Sequence, residues 1–159
     1  MKRTITLHVN GEAHRLDVEP HETLLEILRR ELGLRGARQT CGLGLCGACT
    51  VLLDGRPLSA CLLLAPLAAG RRITTVEGLA SEAGLHPIQA AFVEKMGFQC
   101  SYCTPGMLLT AQALLAENPN PTPEEICEYL AGNLCRCGSY VKIVQAVQLA
   151  AEKIGRSGA

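Results

Sequence analysis

Along the first nine residues apolar side chains alternate with polar ones, with Ile5, Leu7 and Val9 on one face, and the alternation predicts a β-strand. Asn10-Gly11 is a strong two-residue turn signal, and Leu16 and Val18 continue the pattern on a returning strand, so this stretch reads as a hairpin. Thr23 followed by Glu26 has the form of a capping box; Leu24, Leu25, Leu28 and Leu32 then line one helical face until Gly33 stops it. Thr50 to Leu53 runs into Asp54-Gly55, a second hairpin turn, and Ile73 to Val76 supplies a last short strand ahead of Gly78. Beyond Gly78 the period changes from two to about 3.6, and proline repeatedly stands where a first helical turn begins.

Four helices are predicted there. Pro87 opens the first, with Ile88, Phe92 and Met96 on one face; Thr104-Pro105 opens the second, carrying Met107, Ala111, Leu114 and Leu115. Thr122-Pro123 opens the third, where Glu125 completes a capping box and Ile126 and Leu130 face inward, and Ser139 is placed to cap the fourth, with Ile143, Val147 and Ile154 inward. Short connections favour antiparallel neighbours, hence a four-helix bundle. The expected class is therefore α+β, a small sheet unit over residues 1–78 followed by an all-α unit over 79–159. Asn118-Pro119-Asn120-Pro121 reads as a loop, and there is no internal repeat.

A length of 159 residues allows one core or two small ones. Fifteen basic side chains balance fifteen acidic ones, and the only aromatics are Phe92, Phe98, Tyr102, Tyr129 and Tyr140. A nucleic-acid surface, which wants a basic patch and stacking rings, is not expected. The longest apolar stretch, Leu58 to Ala69, is interrupted by Ser59 and Pro66 and falls short of the roughly 18 residues a membrane span requires. Lys2 and Arg3 lead into an alternating segment rather than the continuous apolar core of a signal peptide, which places the chain in the cytosol.

In that reducing compartment the nine cysteines are more naturally metal ligands than disulfides. Cys41, Cys46, Cys49 and Cys61 form a C-x4-C-x2-C run with a fourth member further on, the spacing of a plant-type [2Fe-2S] site. Gly42, Gly44, Gly47 and Ala48 let backbone amides approach a thiolate-rich anion closely. Pairing across Asp54-Gly55 places Cys49 opposite Ala60, which brings Cys61 beside the loop holding the other three. The second set is Cys100, Cys103, Cys135 and Cys137, a C-x2-C and a C-x-C, each just before a helix whose free amides and dipole favour negative charge.

Two structural zincs remain chemically open, although the narrow Cys135-Arg136-Cys137 bite departs from the usual zinc knuckle. Disulfides fit poorly with an odd cysteine count and with the short Cys46–Cys49 loop. The ninth, Cys127, lies on the shoulder of an apolar face with Ile126 and Leu130 and reads as a core residue. His8, His14, His21 and His86 share no ligand spacing and read as structural or surface residues, with His8 facing solvent and His14 near the sheet edge.

The strings Cys41-Gly-Leu-Gly-Leu-Cys46-Gly-Ala-Cys49-Thr50, Gln99-Cys100-Ser-Tyr-Cys103-Thr-Pro-Gly-Met107 and Gly132-Asn-Leu-Cys135-Arg-Cys137 together resemble the small iron-sulfur subunit of the molybdenum hydroxylases, the xanthine oxidase and dehydrogenase family. The resemblance spans nearly the whole chain. It implies a β-grasp, ferredoxin-like domain followed by a four-helix bundle, holding two [2Fe-2S] clusters. It also implies a relay of electrons between the molybdopterin (Mo) of a large subunit and the FAD of a medium subunit, in a dimer of heterotrimers, with no substrate turnover by this chain alone. Gln99 and Cys137 fall where the family contacts the pterin. Ser101 stands where relatives usually have glycine, and Gly138-Ser139 where they have threonine-glycine; positive φ at those positions would make each serine cost about 1 kcal/mol. A freestanding ferredoxin-type carrier, which needs only one cluster, and a zinc-stabilised interaction module are the competing readings.

Overall fold

A computed structural model describes residues 1–157; residues 158–159 of the expected helical unit lie outside it. Strands β1 (Arg3–Val9) and β2 (Glu12–Val18) pair in antiparallel register, with Leu7 opposite His14. Asn10 and Gly11 both take positive φ, 51° and 87°, the turn geometry that matches strand twist. Helix α1 (Leu24–Arg30) starts at the Thr23–Glu26 capping box. The second hairpin joins β3 (Thr50–Leu53) to β4 (Arg56–Ser59) through Asp54 and Gly55, also at positive φ. A final strand, β5 (Arg72–Thr74), runs parallel to β1 and antiparallel to β3, giving the order β2-β1-β5-β3-β4. Leu24, Leu25, Ile27 and Leu28 of α1 close the core over Leu7, Val9, Val18, Val51 and Ile73, which is the β-grasp arrangement. His8 is exposed, and His14 lies on the edge strand β2.

The last strand ends earlier than expected. Thr75 turns out of the ladder because its N–H donates to Asn10 Oδ1 (2.9 Å) while its hydroxyl accepts from Asn10 Nδ2 (2.9 Å). Val76 then opens a 3-10 turn and packs against the helical core instead of the sheet.

The remaining helices are α2 (Pro87–Glu94), α3 (Thr104–Glu117), α4 (Pro123–Tyr129) and α5 (Tyr140–Ser157). Their common core contains Ile88, Phe92, Met107, Ala111, Leu114, Ile126, Ile143 and Val147. Met96 is not on the inward face. Helix α2 stops at Glu94, the Gly97 N–H returns to the Phe92 carbonyl (2.8 Å), the Met96 N–H returns to that of Val93 (3.1 Å), and Met96 is left exposed at φ 51°. Helix α3 is buried on nearly every side because, besides the bundle, Leu109 and Ala113 pack on Leu52 of β3. No described helix is long and apolar enough to cross a membrane.

His86 supplies the α2 cap: its Nδ1 accepts from the Ile88 N–H (3.3 Å), and Gln89 Oε1 accepts from the His86 N–H (2.9 Å). Burial lowers the His86 pKa below its ordinary 6.5. The unfolded chain therefore takes up a proton that the folded chain resists, so this contribution is full above about pH 6.5 and fades as pH falls below it. In denaturant titrations the wild type is expected to lose stability, relative to His86→Asn, between about pH 7.5 and about pH 5.5. Asparagine caps without titrating; parallel curves for the two proteins would refute the assignment.

Candidate metal centres

The loop from Cys41 to Cys49 carries Gly42, Gly44 and Gly47 at φ of 66°, 72° and 68°, so its amides turn inward. The Leu43 N–H lies 3.4 Å from Cys41 Sγ, and this donor, the Cys46 thiol, and the Cys46 and Leu45 amides bring the Cys41 pKa down to about 6. Hairpin pairing does bring the distant member back: the Ala60 N–H donates to the Cys49 carbonyl (3.3 Å), and the Cys49 and Cys61 thiols hydrogen-bond to each other. Burial, reinforced by the Cys61 and Cys46 sulfurs, pushes Cys49 up to about 11. The first four thiols thus stand as two pairs, 41 with 46 and 49 with 61, in mutual electrostatic range.

The second four do the same. The Cys100 thiol hydrogen-bonds with that of Cys137 and the Cys103 thiol with that of Cys135, with Cys135 within electrostatic reach of Cys100. The Tyr102 N–H, then the Cys137 thiol, lower the Cys100 pKa; burial pushes Cys103 up to about 12. At Cys135 burial opposes ionisation, but the Ser139, Cys137 and Gly138 amides outweigh it and lower the pKa. Ser139 therefore serves through its N–H, and its buried hydroxyl makes no hydrogen bond, so the side-chain cap expected there does not form. Gln99 Nε2 donates to the Cys137 carbonyl (3.2 Å), which places both residues at the same exposed corner.

Two pairs of thiols per site, with amides converging on the sulfurs, fit a two-iron core in which each iron takes two thiolates. No group of three Cys, His, Asp or Glu side chains among the described residues is disposed to hold a single metal ion. All nine cysteines are free thiols. Cys127 departs from expectation: α4 turns it outward, exposed at the rim of a 260 Å³ apolar cavity lined by Met107, Leu130 and Ile143.

Sequence reasoning missed the residues that join the sites. Asn133 is buried, and its Nδ2 donates to the Gly47 carbonyl (3.0 Å); next to it the Leu134 N–H donates to the Cys46 carbonyl (3.0 Å). One hydrogen bond therefore links the backbone of a first-set cysteine to the residue preceding Cys135. On the other flank the Tyr102 hydroxyl donates to the Gln39 carbonyl (2.9 Å). Asn133 and Leu134 stand inside the string that carries the resemblance, but an isolated asparagine between helices carries only a turn signal of its own, so no role attached to it.

Ser101 sits at φ 61°, the left-handed conformation suspected at that position, whereas the positive φ at the other departure, 74°, falls on Gly138. Ser101→Gly is expected to raise stability by about 1 kcal/mol, read as a higher midpoint in chemical denaturation. An unchanged or lower midpoint would contradict the strain.

The fold and these thiol sets define a protein with two [2Fe-2S] sites. Residues 7–75 match the 2Fe-2S iron-sulfur cluster binding domain family, and residues 75–148 match the [2Fe-2S] binding domain family. The chain is 49% identical to a nicotinate dehydrogenase subunit of Pseudomonas putida, over 96% of this chain and 97% of that one. It is 47% identical to the nicotinate dehydrogenase small FeS subunit of Eubacterium barkeri, with the same coverage. The crystal structure of quinoline 2-oxidoreductase from Pseudomonas putida 86 superposes with a TM-score of 0.94 at 41% identity, over 99% of both chains. The chain belongs to the family of small iron-sulfur subunits of the multi-subunit molybdenum hydroxylases.

Proposed function

We propose that this chain relays electrons between the molybdopterin of a large subunit and the FAD of a medium subunit, with Cys41, Cys46, Cys49 and Cys61 holding one [2Fe-2S] cluster and Cys100, Cys103, Cys135 and Cys137 the other. Bound clusters supply one-electron steps. The observation that carries the reading is the Leu134–Cys46 hydrogen bond, which sets the two four-thiol loops back to back. Residues 1–78 and 79–159 serve as the two cluster-bearing domains. Gly42, Gly44 and Gly47 shape the first loop so that its amides face sulfur.

Gln99 and Cys137 form the contact with the pterin. The Gln99 amide nitrogen is anchored on the Cys137 carbonyl, and its carbonyl oxygen has no partner among the described residues, so it is available to a docked group. The large and medium subunits complete the machine as a dimer of heterotrimers, placed in the cytosol in keeping with nine free thiols.

Purification from the native source tests this. The chain is expected to travel with two larger chains, one containing FAD and one containing molybdenum, and to show two distinguishable paramagnetic signals on reduction. A free monomer without companions, or a colourless protein without iron and inorganic sulfide, would overturn it.

A further inference from the structure

Arg38 precedes Cys41 by three residues, and its N–H donates to the carbonyl of Ala48, the neighbour of Cys49 (3.0 Å). Its guanidinium carbon lies 5.6 Å from the ring centroid of Tyr102, which belongs to the Cys100–Cys103 loop. Tyr102 is fixed at both ends: its N–H points to the Cys100 sulfur and its hydroxyl donates to the Gln39 carbonyl. The cation thus stands between ligand loops of the two sets.

It also lacks the partner such a charge normally has. Among the described residues no carboxylate lies within salt-bridge distance of Arg38, and its Nε is buried without an acceptor. By contrast, Arg30 pairs with Glu22 and Arg71 with Asp54, and the Arg29 guanidinium, also without a carboxylate, donates to the Arg35 and Ala37 carbonyls. A half-buried guanidinium without an anion is unfavourable unless negative charge stands nearby. Cation–π attraction to Tyr102 offsets part of that cost. Arg38 lies three residues before Cys41, and the ring beneath it belongs to the residue between Cys100 and Cys103, so ligands of both sets flank the pair along the chain.

We infer that Arg38, seated on Tyr102, is a positioning residue that supplies the countercharge for both clusters and so raises their reduction potentials together. The inference rests on the ligand assignment proposed above. On reduction each cluster gains one electron, and hence one unit of negative charge, from an external donor, with no bond made or broken. A fixed cation favours the more negative form. Tyr102 keeps the guanidinium from turning out to solvent, where water would screen it.

The test is a dithionite titration of the intact complex, followed by paramagnetic resonance of both clusters. Arg38→Gln is expected to lower the reduced-to-oxidised ratio of both clusters at fixed ambient potential by about tenfold, equal to about 59 mV for a one-electron couple. Tyr102→Leu, which removes the seat and leaves the charge, is expected to shift both in the same direction by less. Arg38→Lys should restore most of the loss, and adding Tyr102→Leu to Arg38→Gln should change nothing further. Unchanged potentials with both signals present overturn the inference and leave the ligand assignment standing. Wild-type material without iron overturns both. Should Arg38→Gln fail to assemble, Tyr102→Leu decides alone, and unshifted potentials in it refute the role.

Discussion

A Cys49→Ser chain is expected to keep one of its two paramagnetic signals and to lose half of its iron. Cys49 is 3% exposed where the first loop enters β3, hydrogen-bonded to Cys61 and within electrostatic reach of Cys46. Serine preserves the volume but replaces a soft thiolate with a hydroxyl that ionises far less readily, in a place where burial already resists ionisation. The first site is therefore expected to lose its cluster. The second set keeps its own pairs, Cys100 with Cys137 and Cys103 with Cys135, which involve no residue of the first loop. Its signal should persist. Cys127→Ala is the control: an exposed thiol outside both sets should leave both signals and the iron content unchanged. Loss of neither signal in Cys49→Ser would reject the ligand assignment.

The features legible in the sequence were those set by local chemistry. Asn10-Gly11 and Asp54-Gly55 fix two hairpins because both residues of such a turn must take positive φ, and the structure has them there. Thr23–Glu26 and Thr122–Glu125 fix two helix starts through capping boxes that close within four residues. The thiols of each four-cysteine set come together in pairs, through short loops and one hairpin. The errors arose where a distant group decided the outcome. Val76 looked like the end of a strand until the Asn10 side chain took both polar groups of Thr75 and handed Val76 to the helices. Met96 fell on the helical repeat of Ile88 and Phe92, but Gly97 packs within 3.0 Å of the Phe92 ring when given a Cβ, and its N–H ends the helix one turn early. Cys127 lay one position off the apolar stripe, and α4 buries Ile126 while leaving Cys127 exposed. Juxtaposition of the two sites through Leu134 and Asn133 joins residues more than eighty positions apart, and no local pattern records that.

That seam is also where a single methyl group should do most harm. A Cβ on Gly47 would lie 2.5 Å from Asn133 Nδ2 and 2.5 Å from the Gly132 carbonyl, and the residue holds φ +68°. The conformation itself costs a non-glycine residue about 1–2 kcal/mol, and an overpacked contact adds about 1–3 kcal/mol. The contact cannot relax cheaply. Asn133 is buried and committed to the Gly47 carbonyl, that same carbonyl accepts from the Thr50 hydroxyl (2.8 Å), and Gly106 of α3 lies so close to it that a Cβ there would collide. Gly47→Ala is thus expected to destabilise by about 2–5 kcal/mol, a fall of roughly 5–15 °C in thermal midpoint, and to speed amide exchange at Leu134. Gly11→Ala supplies the comparison: Gly11 holds φ +87° with nothing within 4 Å of an added Cβ, so it carries the conformational cost without the clash. The excess of Gly47→Ala over Gly11→Ala measures how tightly the two cluster loops are pressed together. Equal losses in the two variants would mean that the contact between the two cluster loops adds nothing to the conformational cost and that the loops separate at little cost.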